Sequence, residues 1–316
     1  MKVSVGLAVY NAECYLEQCL DSLTKQTCED LEIIIIDDGS TDSSGAICDR
    51  YAVLNSRMRV IHKPNGGLAS ARQAALEAST GDYFCVCDAD DWMEPEMYER
   101  LLNKAIETDA DIVMCGSWRE YGDTSQTSVY RNIIPTDNKG VIKDMLNGRF
   151  PCSIWNKLFR RDLFEKYRLS WEPGIDMGED LLMMLKILLY PVKLVCLQEP
   201  FYHYRRIQGG NNYTSHVTLN SYRQLLFIED WIDEHMKSDV YSEGKTHFQI
   251  NVAYAGLRVE SGMTPTYYRK TATSRINLKK LIAEWTLKSM LILLAKLFGY
   301  RFGSFVNRLF YKMVYK

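Results

Sequence analysis

Five short segments of this chain gather the side chains able to move protons, hold cations or grip phosphate. In Asp88-Ala89-Asp90-Asp91-Trp92 the acids at 88 and 90 are spaced i, i+2, which on extended backbone turns both carboxylates to one side. There they suit a hard cation that takes one or two protein carboxylates and fills its shell with water and phosphate oxygens; a plain Asp-rich turn is the alternative. In Asp37-Asp38-Gly39-Ser40-Thr41-Asp42, Ser40 or Thr41 would cap a following helix and Asp42 would suit its positive end. A second carboxylate there is surplus to capping and is free for a base N–H or a ribose hydroxyl. Asn65-Gly66-Gly67 is a glycine turn opening a helix with Arg72 in its first turns, where a guanidinium either balances a diphosphate or is simply solvated. Gly178-Glu179-Asp180 opens another helix, whose free N–H groups favour an ionised, proton-accepting carboxylate; charge complementarity alone is the other reading. Tyr202-His203-Tyr204-Arg205-Arg206 sets basic residues at a strand end, where they close over phosphates or solvate an edge.

These segments need a scaffold that brings strand ends together, and the pattern supplies one. Over the first 115 residues short apolar runs (Val3 to Val9, Leu31 to Ile36, Met58 to Ile61, Tyr83 to Cys87, Ile112 to Cys115) alternate with helical stretches around 13–25, 43–54, 68–79 and 95–107. That alternation predicts an α/β fold with a mainly parallel sheet, whose ligands bind beyond the carboxyl ends of the strands. The uninterrupted Ile33 to Ile36 predicts a strand covered on both faces. Residues 117–175 are less periodic, with polar loops expected at Gly122 to Ser128 and Asn132 to Lys139 and an apolar-basic block from Ile154 to Tyr167. A helix begins near Glu179, Lys193 to Leu197 is strand-like, and the pattern turns helical from about 217. The expected domains are 1–215 and a helical extension over 216–316.

Composition narrows the classes. The 316 residues are 47% hydrophobic and 25% charged with a formal charge of −2, ordinary for a globular chain. Nine cysteines form no CxxC pair and no zinc spacing, so neither structural metal nor disulfide is expected. Residues 275–316 carry nine Lys or Arg against the single acid Glu284, a formal +8, which leaves −10 for the first 274; a nucleic-acid-binding body is excluded. No GxGxxG and no P-loop follows a strand. A DxD phosphohydrolase would need Thr or Val where Trp92 stands. A non-catalytic nucleotide-sugar-binding or scaffold protein remains as the rival class.

The order and spacing of VSVGLAVYNAECYLEQCLDSLTKQT, LEIIIIDDGSTDSS, NGGLASARQAAL, GDYFCVCDADDW, GED and YHYRR across residues 1–206 resembles glycosyltransferase family 2, the inverting nucleotide-sugar enzymes. The resemblance implies a GT-A Rossmann-like αβα sandwich and a sugar donor that is usually a UDP-sugar. Carried over by position, it implies that Ala8, Tyr10, Asp38 and Asn65 line the uracil and ribose and that Arg72 lies near the phosphates. Asp88 would contact the ribose side, with Ala89 beside it. Asp90 would ligate Mn²⁺ or Mg²⁺, while Glu179, Asp91 and Trp92 face donor sugar or acceptor. Asp180 is then the general base and Arg205 part of the closing segment. Ala8 stands where the family often has Pro or Thr. The implied activity is a hexosyl-type transfer, with inversion, to a hydroxyl of a glycan acceptor, polyprenyl-diphosphate-linked in many bacterial relatives, in cell-surface polysaccharide synthesis.

The basic tail has no uncharged apolar run near the roughly 20 residues of a bilayer span. Trp285, Phe298, Phe302, Phe305 and Phe310 among Lys and Arg suit a helix lying in an anionic membrane surface; a cap packed on the protein is the alternative. With no charged leader and long apolar stretch in MKVSVGLAVYNAE, the expected location is cytoplasmic, peripheral on the inner face of the cell membrane.

Overall fold

Strands and helices alternate through the first part of the chain because its apolar residues do. A computed structural model describes residues 1–122, 124–128, 137–206, 217–284 and 286–314. In chain order it contains β1 (Val3–Val9), α1 (Leu16–Thr24), β2 (Leu31–Asp37), α2 (Ser44–Leu54), β3 (Met58–His62), α3 (Leu68–Ala78), β4 (Tyr83–Asp88), β5 (Trp92–Met93) and α4 (Met97–Thr108). There follow β6 (Ile112–Tyr121), β7 (Thr124–Ser128), α5 (Asn138–Leu146), β8 (Lys157–Arg160), α6 (Asp162–Lys166), α7 (Glu179–Leu188) and β9 (Leu194–Arg205). The remainder is helical: α8 (Leu219–His235), α9 (Ser242–Arg258), α10 (Pro265–Tyr268), α11 (Leu278–Ala283), α12 (Leu287–Phe298) and α13 (Tyr300–Val314). The chain divides into two compact units, residues 1–138 with 152–210, and residues 139–151 with 211–316.

The first unit holds one sheet in the order β3-β2-β1-β4-β8-β6-β9-β5, with β7 paired to β6. The pairs β1/β2, β2/β3, β1/β4 and β6/β9 are parallel; β8, β5 and β7 run against their neighbours. Ile33 to Ile36 are all 0% exposed, as a parallel strand covered on both faces requires. On one face α1 buries Leu16, Cys19, Leu20 and Leu23, the i, i+3, i+4, i+7 stripe of an amphipathic helix. On the other, α3 packs on β1 and β2 through Ala69, Ala71 and Ala75. Small residues let that helix approach closely. A Cβ on Gly6 of β1 would meet the Ala75 Cβ at 2.7 Å and the Phe84 ring at 3.1 Å.

Register sets the functional geometry. Ala8 lies opposite Ile36 on one side and Asp88 on the other, and Val9 opposite Asp37, so β1, β2 and β4 end level at the edge where ligands of such sheets bind.

Several expectations change. Within the loop expected at Gly122 to Ser128, Thr124–Ser128 is strand instead: it pairs antiparallel with β6 from Tyr121↔Thr124 to Ser117↔Ser128, its polar sequence hiding a strand that pairing alone creates. Residues 132–136 of the second expected loop lie outside the described residues. Ile154 to Tyr167 resolves into a turn, β8 and α6, and the strand expected at Lys193 to Leu197 runs on to Arg205. Neither Ser40 nor Thr41 caps α2. That helix starts later, at Ser44, and the Asp37 and Asp42 carboxylates accept from Ser40 N (3.0 Å) and Ser44 N (2.9 Å) instead.

In the second unit Ile250, Ala253, Leu257, Tyr268, Ala272, Ile276, Leu281, Leu291, Ile292 and Ala295 form one buried cluster. Capping boxes of Thr218 with Ser221 and Thr286 with Ser289 start α8 and α12, and Gly299 at φ 92° separates α12 from α13. No helix among the described residues is long and apolar enough to cross a membrane.

Gly6→Ala is expected to destabilise the protein by about 1–3 kcal/mol, because the added methyl forces α3 away from β1. Denaturant unfolding at unchanged m-value checks this, and a variant as stable as the parent would refute the close approach.

Candidate active site

The strand ends carry acids, and most of those acids turn inward to organise the loops. Asp38, at 2% exposure, follows β2 and accepts from Gly66 N (3.0 and 3.1 Å), Gly67 N (2.8 Å) and the Lys63 ammonium. Its carboxylate shapes the glycine turn that carries Asn65, itself exposed. The same turn is held from behind by Asp176, whose Oδ1 accepts from Ala69 N at 2.9 Å. Gly67, at φ +86°, fits so tightly there that a Cβ would lie 2.4 Å from Asp176 Oδ2. Tyr10 beyond β1 is 53% exposed, available to a planar ligand, and Ala8 is partly exposed beside it.

Arg72 is the centre of the site. Expected near the phosphates, or solvated, it is 2% exposed. Its Nη2 donates to Asp88 Oδ1 (2.8 Å), and its Nη1 to Glu179 Oε1 (2.8 Å) and Asp180 Oδ1 (2.7 Å). The helix α3 thus joins the end of β4 to the first turn of α7. One guanidinium faces three carboxylates, so charge is left unbalanced. Burial, and then Asp180, push Glu179 up to about 8. Burial likewise raises Asp180, with Arg72 opposing and Asp88 adding to the rise. Asp180 Oδ2 accepts a further bond from Ile154 N at 3.2 Å.

The Asp88–Trp92 turn is clamped by β9. Asp91, expected to face the sugars, is instead 1% exposed, accepting from the Tyr202 hydroxyl and from Arg205 N, both at 2.8 Å. Arg205 Nε donates to the Asp90 carbonyl at 2.7 Å, and its guanidinium lies 4.6 Å from the Trp92 ring centre and 5.0 Å from that of Tyr15. Trp92 stacks in turn on His203 at 4.9 Å, whose ring nitrogens meet Glu120 (2.6 Å) and Glu94 (3.0 Å). Ala89 is buried in the turn.

That leaves Asp90. Among the described residues no donor side chain reaches its carboxylate, and burial, with the Asp88 charge next, pushes it up to about 6. A carboxylate short of positive charge beside a second acid fits a divalent cation. No three His, Cys, Asp or Glu among the described residues converge to hold a metal by themselves, and an ion that draws most of its shell from water and phosphate does not need them to.

The structure therefore links Arg72, Asp88, Glu179 and Asp180 directly, and Asp38 to them through the turn that opens α3. Asp176 and Lys157 escape a reading of the sequence, whereas His203 lies in the Tyr202-His203-Tyr204-Arg205-Arg206 cluster and proves to stack behind Trp92. Asp176 matches no motif, and the only trace of Lys157 is a lysine inside the apolar run IWNKLF.

Residues 4–168 match the profile of the family described as "Glycosyl transferase family 2". EpsH of Bacillus subtilis (strain 168) is 35% identical over 208 residues, 64% of this chain and 60% of that protein, so the chain aligns with less than two thirds of that relative. The glycosyltransferase GlyG of Streptococcus pneumoniae serotype 4 is 33% identical over 286 residues, 86% of this chain and 91% of GlyG. Among solved structures, Staphylococcus aureus TarS 1–349 in complex with UDP-GlcNAc superposes with a TM-score of 0.72 at 18% identity, covering 99% of this chain and 92% of that one. At that identity the likeness is one of fold.

Arg72→Met is expected to cost about 3 kcal/mol at about pH 8, near the lower end for an unmatched buried charge because its partners keep some solvent contact. The penalty should shrink toward about pH 5, since Glu179 and Asp180, already raised, take up protons and no longer need the cation. Denaturant titrations at both pH values test this; a loss independent of pH would contradict the charge balance.

Proposed function

We propose, from the premise that the chain belongs to glycosyl transferase family 2, that it transfers a sugar from a UDP-sugar to a hydroxyl of a lipid-linked glycan acceptor with inversion at the anomeric carbon. The observation that carries this reading is the Arg72 bridge, which sets the donor-side acid Asp88 and the proton acceptor Asp180 around one buried cation. Asp180 takes the proton of the acceptor hydroxyl while that oxygen attacks the anomeric carbon, and the bond from that carbon to the diphosphate breaks with its electron pair going to the leaving oxygen. Two fixed donors, Arg72 Nη1 and Ile154 N, orient the carboxylate. Asp90 is the residue that would hold Mn²⁺ or Mg²⁺, which when bound stabilises the charge growing on the departing nucleoside diphosphate. Tyr10, Ala8 and the Asp38-held Asn65 turn form the side of the site suited to a base and ribose. Trp92 and Glu179 border the sugars, and Arg205 fixes the turn that presents Asp90.

The second unit supports membrane attachment. While Leu281, Leu291 and Ile292 are buried in its core, Phe298, Phe302, Phe305 and Leu309 are 67%, 45%, 55% and 46% exposed, a stripe spaced i, i+4, i+7, i+11 along the end of α12 and α13. Arg301 and Arg308 are exposed beside it, and residues 275–316 carry nine Lys or Arg against one acid. Such a face suits an anionic bilayer surface, apolar side inward and cations at the headgroups. Trp285 lies outside the described residues. This reading places the protein on the inner face of the cell membrane, where a polyprenyl-linked acceptor would be met.

Thermal-shift screening of UDP-, GDP- and dTDP-sugars with Mn²⁺, followed by UDP release, tests the donor class; no shift and no release with any of them would leave a binding or scaffold role. Asp180→Asn should lower kcat by about 10²–10⁴-fold with donor binding intact, and Asp90→Ala should abolish the metal dependence of UDP binding. Replacing Phe302, Phe305 and Leu309 by Ser spares the buried cluster and should release the protein from phosphatidylglycerol vesicles in co-sedimentation; equal pelleting would remove the membrane reading.

A further inference from the structure

We infer that Lys157 is a positioning residue for Asp180, its buried ammonium fixing the turn that presents a backbone N–H to that carboxylate. The inference rests on the reading of Asp180 as the base. Lys157 is 0% exposed at the start of β8, opposite Met114 of β6. A lysine ammonium is buried at a cost that must be met by hydrogen bonds and nearby negative charge. Its Nζ donates to the Ser153 carbonyl and, at 3.2 Å, to Asn156 Oδ1. Ser153 Oγ donates to the same Oδ1 at 3.1 Å. Asn156 then ties the turn to β6 twice: its Nδ2 donates to the Cys115 carbonyl at 2.8 Å, and its carbonyl accepts from Cys115 N at 3.0 Å.

Every one of these bonds holds residues 153–157 in place, and one donor of the turn points out of it. Ile154 is anchored by a side chain at 1% exposure and by its carbonyl, which accepts from Lys157 N at 3.1 Å. Its N–H reaches Asp180 Oδ2 at 3.2 Å. The two oxygens of Asp180 are therefore gripped from opposite elements, Oδ1 by Arg72 on α3 and Oδ2 by this turn. A carboxylate held at both oxygens has one orientation in which to meet a hydroxyl proton, and such pre-organisation is where catalytic positioning gains its effect.

Charge adds a second role. The groups facing Asp180 are Arg72 from α3, Asp88 from β4, the adjacent Glu179 on α7, the Cys152 thiol and Lys157. Burial, with Asp180 next, pushes Cys152 up to about 11, so it stays a neutral thiol. Arg72 is shared among three acids, which makes Lys157 the other cation acting on this carboxylate. Burial pushes Lys157 down to about 8, with Cys152 and Asp180 pulling the other way.

The test compares Lys157→Met, Lys157→Gln and Asp180→Asn in the full chain, reading UDP release with Mn²⁺ and UDP-GlcNAc, UDP-glucose or UDP-galactose as donor, with thermal unfolding to confirm folding. In the Met variant kcat should fall about 10–100-fold while KM for the donor stays within about twofold. The acid limb of the kcat–pH profile should move to higher pH, since loss of a cation favours protonated Asp180. The Gln variant restores a donor without charge, so it should recover part of kcat and keep the displaced limb. Should Lys157→Met fail to fold, Lys157→Gln carries the same comparison. A kcat within about twofold of the parent, or a rise in KM with an unmoved limb, would overturn the inference. If those results accompany an inactive Asp180→Asn, the base reading stands and only the role of Lys157 falls; full turnover in Asp180→Asn removes both.

Discussion

A single buried guanidinium organises this molecule's chemistry. Arg72 reaches across the sheet end to Asp88 on one side and to Glu179 and Asp180 on the other, and a cation withdrawn from water requires such partners. Its reach depends on how closely α3 lies on the sheet, which depends on Ala69, Ala71, Ala75 and the absent side chain of Gly6. Packing of small residues at one level thus decides electrostatics at the next. Three acids share the one cation, and burial, with the neighbouring carboxylates adding to it, raises the proton affinity of Glu179 and Asp180.

Around that centre the remaining acids divide by direction. Asp37, Asp38, Asp91 and Asp176 spend their oxygens on backbone N–H groups and neighbouring side chains, so they act as loop fasteners. Among the described residues no side-chain donor reaches the Asp90 carboxylate, which meets only its own backbone N–H. A loop built this way holds its one open carboxylate at a defined place, and the aromatic and cationic stack of His203, Trp92 and Arg205 backs the same turn from β9. Rigidity in the supporting residues is what gives the open group its use.

The second unit solves a different problem with one sequence pattern. Its terminal helices have apolar residues in excess of what one face can bury, and the structure sorts them: Leu281, Leu291, Ile292 and Ala295 into the core, Phe298, Phe302, Phe305 and Leu309 to the surface. The same helices thus pack one face into a core and leave a second apolar stripe exposed.

How much of this could be read from the chain itself differs by level. The strands of the first 115 residues, the helices between them and the doubly covered Ile33 to Ile36 run were legible because periodicity and β-branched runs are local signals. The acid-bearing strand ends were legible for the same reason. The hairpin strand Thr124–Ser128 was not, since its polar residues are strand only through pairing with β6. Nor was the direction in which each acid turns. Arg72 meets Glu179 and Asp180 across 107 and 108 residues, and Asp91 meets the Tyr202 hydroxyl across 111. The sequence by itself determined which residue types stand at the strand ends and in what order. Only the tertiary structure decided which of those charges neutralise one another and which one is left open, because ion pairing depends on distance in space and on burial, and neither is written in the spacing of neighbours along the chain.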